Sequence, residues 1–367
     1  MRSLYIHVPF CDRKCFYCSF IVSIGQRPLF NSYIDALTKE ARQYKGATIE
    51  TIYIGGGTPT LLERVQMEKL FVMIRENFHF SDGIEWTMEA NPEGMNARKA
   101  RWLKEMGVNR ISLGVQTLNE KYLTYLGRNH NRQKALEAFD GTREAGFKNI
   151  NVDMMFGFAD QTSDELRKDL EEITRFNSEH ISVYSLSVEE NSRFYAKKIS
   201  LPDDPIQTDQ CLLVMKTLEE KGFAQYEISN FSKPGKMSQH NRNYWTGGEY
   251  IGLGVGAHSH IHGKRFWNVP RLNKYMAHIQ EKGSAVESFE LLTGEQRMIE
   301  TLLFGLRMNA GVDLNKLEQR FHWSLDGERR RRVNAFVQEG LLVWDGAVLK
   351  TTQQGRLLLD ELCARLI

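Results

Sequence analysis

The chain has 367 residues and sets 48 Lys and Arg against 46 Asp and Glu, for a formal charge of +2. That balance supplies no field of the strength by which proteins select nucleic acid or an anionic membrane, so neither is expected as a partner. No stretch reaches the roughly 20 apolar residues of a membrane span, and a thiol-rich loop starts too early to leave room for a signal peptide, so a cytosolic protein is expected.

The length suits one large α/β domain and a smaller one, divided as residues 1–230, a connecting region 231–285 and a C-terminal unit 286–367. Apolar, β-branched runs at 4–8, 51–54, 84–89, 110–115, 149–155 and 180–186 alternate with amphipathic stretches at 29–44, 61–77, 97–106, 133–145 and 163–176. Such alternation predicts a parallel sheet. Six units are too few to close an eight-stranded barrel. They predict an incomplete, curved (β/α)6 barrel, with a doubly wound open sheet as the rival arrangement.

Directly after the first run stand Cys11, Cys15 and Cys18. Thiols four and three residues apart on one loop can wrap a compact metal centre. Iron-sulfur clusters normally take four thiolates, so three leave one iron open to a small molecule. A structural zinc site wants a fourth Cys or His at ligand spacing, and none lies nearby. Cys211 and Cys363 stand alone, and no disulfide framework is expected.

In βα-repeat folds the site gathers at the carboxyl ends of the strands. Gly55-Gly56-Gly57-Thr58-Pro59-Thr60 follows the second strand, Glu89-Ala90-Asn91-Pro92 ends the third, Gln116-Thr117 ends the fourth, and Asp153 lies within or near the end of the fifth. With the Cys loop they converge on one rim. Each also has a plainer explanation. The glycines can make a tight turn or bring backbone close to a ligand. Glu89 and Asp153 can be salt-bridged, or can accept from ribose hydroxyls or an amino group. Gln116 can cap a turn, and Arg128 can be a solvated charge or a fork for a carboxylate.

The run from Ile251 to His262 places glycine at every second position, then His258, His260 and His262. As one extended strand it would set the three histidines on one face, packed against a cofactor or the barrel wall, and zinc ranks below that reading. From about Leu292 the pattern is helical and then hairpin-like over 341–350, with Asp345-Gly346 at the turn, which predicts a small winged-helix-like domain. Its Arg329-Arg330-Arg331-Arg332 run is read as a solvated helix surface in preference to a DNA contact.

The Cys11/Cys15/Cys18 spacing with Tyr17 and the Gly-Gly-Gly-Thr-Pro-Thr turn resembles the radical S-adenosylmethionine (SAM) superfamily. Within it, residues 5–10, 112–117 and 151–158 resemble the branch of the oxygen-independent coproporphyrinogen dehydrogenases. The resemblance implies that the three cysteines hold a 4Fe-4S cluster and that Tyr5, Tyr17, Gly56, Gly57, Thr58, Glu89, Gln116, Arg128 and Asp153 contact SAM. It also implies that an electron from the cluster can split the bound sulfonium. Two features depart from those dehydrogenases. Phe20 stands where they carry an additional Cys, and their longer segment before the cluster has no counterpart here.

His240-Asn241-Arg242-Asn243-Tyr244-Trp245 resembles the His-Asn-x-x-Tyr-Trp signature of the HemW haem chaperones. An imidazole can ligate haem iron, and Tyr and Trp offer flat faces to a porphyrin. The resemblance therefore implies haem held by His240, Asn241, Tyr244 and Trp245 and handed to acceptor haemoproteins, respiratory enzymes among them, by a protein able to form a homodimer. The plainer alternative is a loop anchored by two buried aromatics with a hydrogen-bonded His. Rival functions are oxidative decarboxylation of coproporphyrinogen III and a winged-helix regulator. Whether the chain is an enzyme stays open at this point.

Overall fold

The computed structural model describes residues 2–325 and 327–366. Among the described residues the six expected strands form, in order, as β1 (Arg2–Val8), β4 (Ala47–Gly56), β5 (Phe78–Ala90), β6 (Arg110–Gln116), β7 (Ile150–Phe156) and β8 (His180–Ser185). Two short strands, β2 (Phe10–Cys11) and β3 (Ser23–Ile24), pair with each other beside the Cys loop. Neighbours from β1 to β8 run parallel, as the crossover helices require.

The helices fall where periodicity places them: Phe30–Ala41, Arg64–Asn77, Ala97–Glu105, Arg132–Glu144 and Ser163–Thr174. Their starts carry local signals. Asn96 and Asn131 accept from backbone N–H groups three residues on, and Thr162 with Glu165 closes a capping box.

The strands show a strict two-residue division of labour. Leu4, Ile6, Ile52, Ile54, Ile111, Leu113, Ile150 and Val152 are wholly buried in one core with the helices. The alternate positions, among them Ser3, Tyr5, Thr51, Tyr53, Glu85, Thr87, Glu89, Arg110, Ser112, Asn151, Asp153 and His180, carry polar groups on the concave face. There they bond one another across strands: Thr51 Oγ1 donates to Ser3 Oγ at 2.7 Å, Asn151 Nδ2 to Ser112 Oγ at 2.7 Å, and Ser112 Oγ to Asp153 Oδ2 at 3.1 Å.

The sheet does not close. It continues past β8 as the antiparallel β10 (Asn230–Ser232) and β9 (Ala224–Gln225), and past β1 as β11 (Glu249–Leu253), β12 (His258–Ile261), β13 (Lys264–Asn268) and β14 (Val286–Leu291). The expected partly open α/β barrel is thus found, with β14 and β9 as its two edges. β14, which the expected division assigned to the C-terminal part, pairs with β13 and belongs to this sheet.

One expectation is corrected. The Gly/His run is not a single strand. β11 is parallel to β1, the chain reverses through Gly254 (φ 102°) and Gly256 (φ 64°), and β12 returns antiparallel to it. A Cβ at Gly254 would come within 2.4 Å of the Tyr33 hydroxyl, so bend and close packing both demand glycine there. His262 sits in the next turn at φ 52°, beside Glu249, and does not share a face with His258 and His260. Among the described residues no three His, Cys, Asp or Glu side chains converge tightly enough to hold a single metal ion.

A second core is built from the C-terminal segment, with Met298, Leu302, Leu317, Val333, Phe336, Leu349 and Leu362 buried in it. Three helices, Gly294–Gly305, Leu314–Phe321 and Gly327–Gln338, pack there with a small sheet of β15 (Val312–Asp313), β17 (Val348–Thr351) and β16 (Leu342–Trp344), the winged-helix-like arrangement expected. Asp345 Oδ1 accepts from the Ala347 and Val348 amides, and Gly346 takes φ 93°, which makes the hairpin turn. Three of the run's four arginines have partners within the C-terminal segment, Arg329 with Glu295, Arg332 with Glu328 and Arg330 at 5.4 Å from the Trp344 ring centre, while Arg331 is exposed. No helix among the described residues is long and apolar enough to cross a membrane.

Buried Glu40 ties the first helix to the β11–β13 extension. It accepts from Tyr275 Oη at 2.6 Å, from the Gly254 amide at 2.8 Å and from the Asn268 side chain. Replacing Glu40 by Ala leaves these donors without an acceptor and should lower stability by about 3 kcal/mol, measured as a shift in the urea midpoint. A midpoint within error of the parent would show that water takes over the carboxylate's role.

Candidate functional site

The Cys loop is fixed by backbone bonds on both flanks. The Phe16 amide donates to Leu126 O at 2.9 Å, the Phe194 amide to Phe16 O at 2.9 Å, and the Cys18 amide to Cys15 O at 3.2 Å. Helix Glu120–Leu126, which sequence periodicity missed, ends in left-handed Gly127, where a Cβ would lie 2.8 Å from the Phe16 ring. That cap delivers Arg128 to the loop. Its Nη1 donates to Cys15 Sγ at 3.2 Å, and its Nη2 to Asn91 Oδ1 at 2.8 Å and Gly114 O at 2.7 Å.

The glycine turn lies against the other flank, with the Gly57 amide on Val8 O and the Thr58 amide on Phe10 O, both at 2.8 Å. A Cβ at Gly57 would sit 2.7 Å from Phe10 O, so the turn is glycine because two backbones touch. The three half-buried thiols are free. Burial pushes Cys11 up to about 11, partly offset by Thr58 and Arg128, and raises Cys18 too. Thiols held this way bind metal with loss of a proton.

A cleft of about 460 Å³ opens over the concave face at the carboxyl ends of the strands. Cys11, Cys15, Cys18, Tyr17, Gly56, Gly57, Thr58, Glu89, Gln116, Arg128 and Asp153 line it together. Strand ends far apart in sequence thus share one wall, with Gln116 turned by a positive φ of 69°. Tyr5 is the exception: its hydroxyl bonds His7 Nδ1 at 2.9 Å, and its ring lies behind Tyr53, with centroids 6.3 Å apart. Sequence reasoning missed Tyr53, Ser112 and Tyr184, which also line the cleft. The two-residue alternation through Glu89 and Asp153 was the signal that could have found them.

The acids are arranged differently. Glu89 accepts from Tyr53 Oη at 2.7 Å and from the Gly56 amide at 3.0 Å, yet burial holds its carboxyl up at about 7. Asp153 is also raised by burial, against the pull of Asn151, Ser112 and buried Arg110. The result is a cleft with one buried cation at Arg128, two carboxyls on its floor and three thiols at its rim.

The His240 segment is a helix (Gln239–Trp245), not a loop, and it packs beneath this cleft. Glu85 reaches its start and accepts from the Gln239 and His240 amides, both at 3.0 Å. His240 is 1% exposed, with Nδ1 bonded to Thr51 Oγ1 at 2.9 Å and Nε2 to Tyr244 Oη at 3.0 Å. Burial lowers its pKa to about 3. In this arrangement neither ring nitrogen is free for an iron. The ring instead lies 5.1 Å from that of Tyr53, which carries Glu89. Asn241 and Tyr244 are half-buried, and half-buried Trp245 packs 6.2 Å from Phe304 of the C-terminal core's first helix with its Nε1 unpartnered. The expected haem set therefore does not gather in the Cys cleft.

Residues 5–173 match the Radical SAM superfamily, and residues 292–358 match the HemN C-terminal domain. Over 370 residues the chain is 38% identical to the heme chaperone HemW of Bacillus subtilis (strain 168), with 98% of each chain covered. It is 32% identical to the heme chaperone HemW of Lactococcus lactis subsp. lactis (strain IL1403), over 96% of this chain and 94% of that one. Among solved structures, coproporphyrinogen III oxidase (HemN) from Escherichia coli, a radical SAM enzyme, superposes with a TM-score of 0.89 at 25% identity, covering 100% of this chain and 89% of that chain.

Because burial raises Glu89, its stabilising contribution is complete below the ordinary carboxylate range and is lost as pH rises through about 7. Glu89→Gln should therefore flatten the fall in stability of the apo chain between pH 5 and pH 8 by on the order of 1 kcal/mol, read from urea midpoints across that range. Parallel pH profiles for the two proteins would mean that the carboxyl is ionised throughout.

Proposed function

The chain belongs to the HemW family of the radical SAM superfamily, and from that premise we propose that it is a cytoplasmic haem chaperone that binds haem and passes it to acceptor haemoproteins. Membership of the superfamily implies a 4Fe-4S cluster and SAM. The observation that carries the reading is similarity to a heme chaperone along 98% of the chain, joined to a cleft in which three thiols meet two carboxyls and an arginine.

The residues present fit those groups. Cys11, Cys15 and Cys18 would hold the cluster, whose open iron, when bound, offers a chelation point to amino and carboxylate groups. Arg128, fixed by Asn91 and Gly114, stands beside Cys15, where it can hold a carboxylate of SAM. Glu89 and Asp153 on the floor can accept from an amino group or ribose hydroxyls. Tyr17, Gly56, Gly57, Thr58 and Gln116 complete the wall, and Tyr5 acts on it through Tyr53. Respiratory enzymes are the acceptors we favour, with a homodimer as the working assembly.

Oxidative decarboxylation of coproporphyrinogen III is the second reading, favoured by the close superposition on HemN. Against it stands Phe20, 66% exposed at the cleft where the resemblance expects a further thiol.

Anaerobic reconstitution should give a four-iron centre that is lost in a Cys11→Ala, Cys15→Ala, Cys18→Ala variant. Hemin should titrate to saturation with a Soret difference band and then move to an added apo-haemoprotein. An anaerobic assay with reduced cluster, SAM and coproporphyrinogen III should yield no vinyl product. Robust vinyl formation, or hemin that neither binds nor transfers, would overturn the chaperone reading.

A further inference from the structure

Two polar groups reach the Cys loop's sulfurs from opposite flanks, Thr58 from the glycine turn and Arg128 from the Gly127 cap. Thr58 Oγ1 lies 3.5 Å from Cys11 Sγ, and Arg128 Nη1 donates to Cys15 Sγ at 3.2 Å. We propose that Asn91, the first residue after β5, is a positioning residue that couples these two groups and thereby sets the reduction potential of the cluster held by the cysteines. The proposal rests on the cluster reading of the three thiols and assigns a role to a residue that reaches the sulfurs through others.

The chemistry of the side chains fixes which way each bond runs. A guanidinium only donates, so the Asn91 atom facing Arg128 Nη2 at 2.8 Å is the amide oxygen, and its Nδ2 is the group that donates to Thr58 Oγ1 at 2.9 Å. That bond occupies a lone pair of the Thr58 hydroxyl and leaves the hydroxyl hydrogen for Cys11. Once the thiols give up their protons to hold metal, their sulfurs are acceptors. Cys11 and Cys15 then each meet a donor whose orientation depends on Asn91.

The fold is arranged to make this bridge. β5 lies between β4 and β6 in the sheet, so its carboxyl end delivers Asn91 between the glycine turn and Arg128. Arg128 Nη2 also donates to Gly114 O on β6 at 2.7 Å, and a Cβ at Gly114 would lie 3.1 Å from Asn91 Oδ1, so glycine there leaves room for the pair. Cys15, Thr58, Asn91 and Arg128 line both the Cys cleft and a second cavity of about 380 Å³, which makes Asn91 part of the partition between the two.

Reduction adds one electron to a cluster and makes its thiolate sulfurs better acceptors. Donors aimed at those sulfurs, with a fixed guanidinium beside one of them, stabilise the reduced state over the oxidised one and raise the potential. Without Asn91, the Thr58 hydroxyl loses the bond that orients it and Arg128 loses a side-chain anchor, so reduction becomes harder.

The test is a mediated dithionite titration of the anaerobically reconstituted full chain, with electron paramagnetic resonance reporting the reduced cluster. Asn91→Leu, close in size, keeps the partition filled while removing both bonds. We expect its midpoint to fall by about 59 mV or more, a tenfold loss in the one-electron equilibrium. Thr58→Val, which removes the hydroxyl at nearly constant shape, should also lower the midpoint. The double variant should fall by less than the sum of the two shifts, since part of what Asn91 does passes through Thr58. If Asn91→Leu takes up no iron, Asn91→Ala, which makes no demand on the space, replaces it with a fall in midpoint again expected. A midpoint within error of the parent in an iron-loaded Asn91 variant, or shifts that simply add in the double variant, overturns the assignment alone. A parent chain that assembles no four-iron centre overturns the cluster reading and this proposal with it.

Discussion

Everything at the site depends on the parallel strands keeping two unlike faces. One face is aliphatic and sealed under helices, which supplies the apolar burial that holds the sheet together. The other is largely polar, and its side chains satisfy one another across strands through Thr51 with Ser3, Asn151 with Ser112, Ser112 with Asp153, and His180 with Asn151. A register slip of one residue in any of these strands would turn an aliphatic row into the cleft and a polar row into the core. The site is thus specified by the same alternation that specifies the fold.

Most of the scaffold was legible because strand and helix periods are local properties. The six parallel strands, their crossover helices and the C-terminal hairpin follow from patterns within windows of ten or so residues, and the rim residues follow from strand ends. What escaped the sequence depends on contacts between distant segments. Helix Glu120–Leu126 is short, and its importance lies in the Gly127 cap that brings Arg128 to Cys15. The Gly/His run looked like one strand because glycine gives no hint of the direction in which it bends. Only the packing of Gly254 against Tyr33 shows that the chain reverses.

His240 shows the limit most clearly. Its residue type suits iron, and a sequence signature marks it, yet its fold position places it under the barrel with Glu85 capping its helix and Thr51 and Tyr244 taking its nitrogens. Whether an imidazole is a ligand or a strut depends on which lone pairs its neighbours leave free, and neighbours separated by 189 residues do not appear in a motif. The strut has a purpose of its own. Through Tyr53 it supports Glu89, so the signature helix underlies the Cys cleft even though it does not enter it.

The flanking bonds of the Cys loop carry a further consequence. Phe16 is tied by its amide to Leu126 and by its carbonyl to Phe194, and the strand before it is tied through Pro9 to Ser23, all by protein groups alone. The loop's backbone is therefore anchored by bonds that leave all three thiols out, and its ordering is shared with the barrel. Exchanging one of those sulfurs for a hydrogen removes a side-chain donor without cutting any of the tethers that shape the loop.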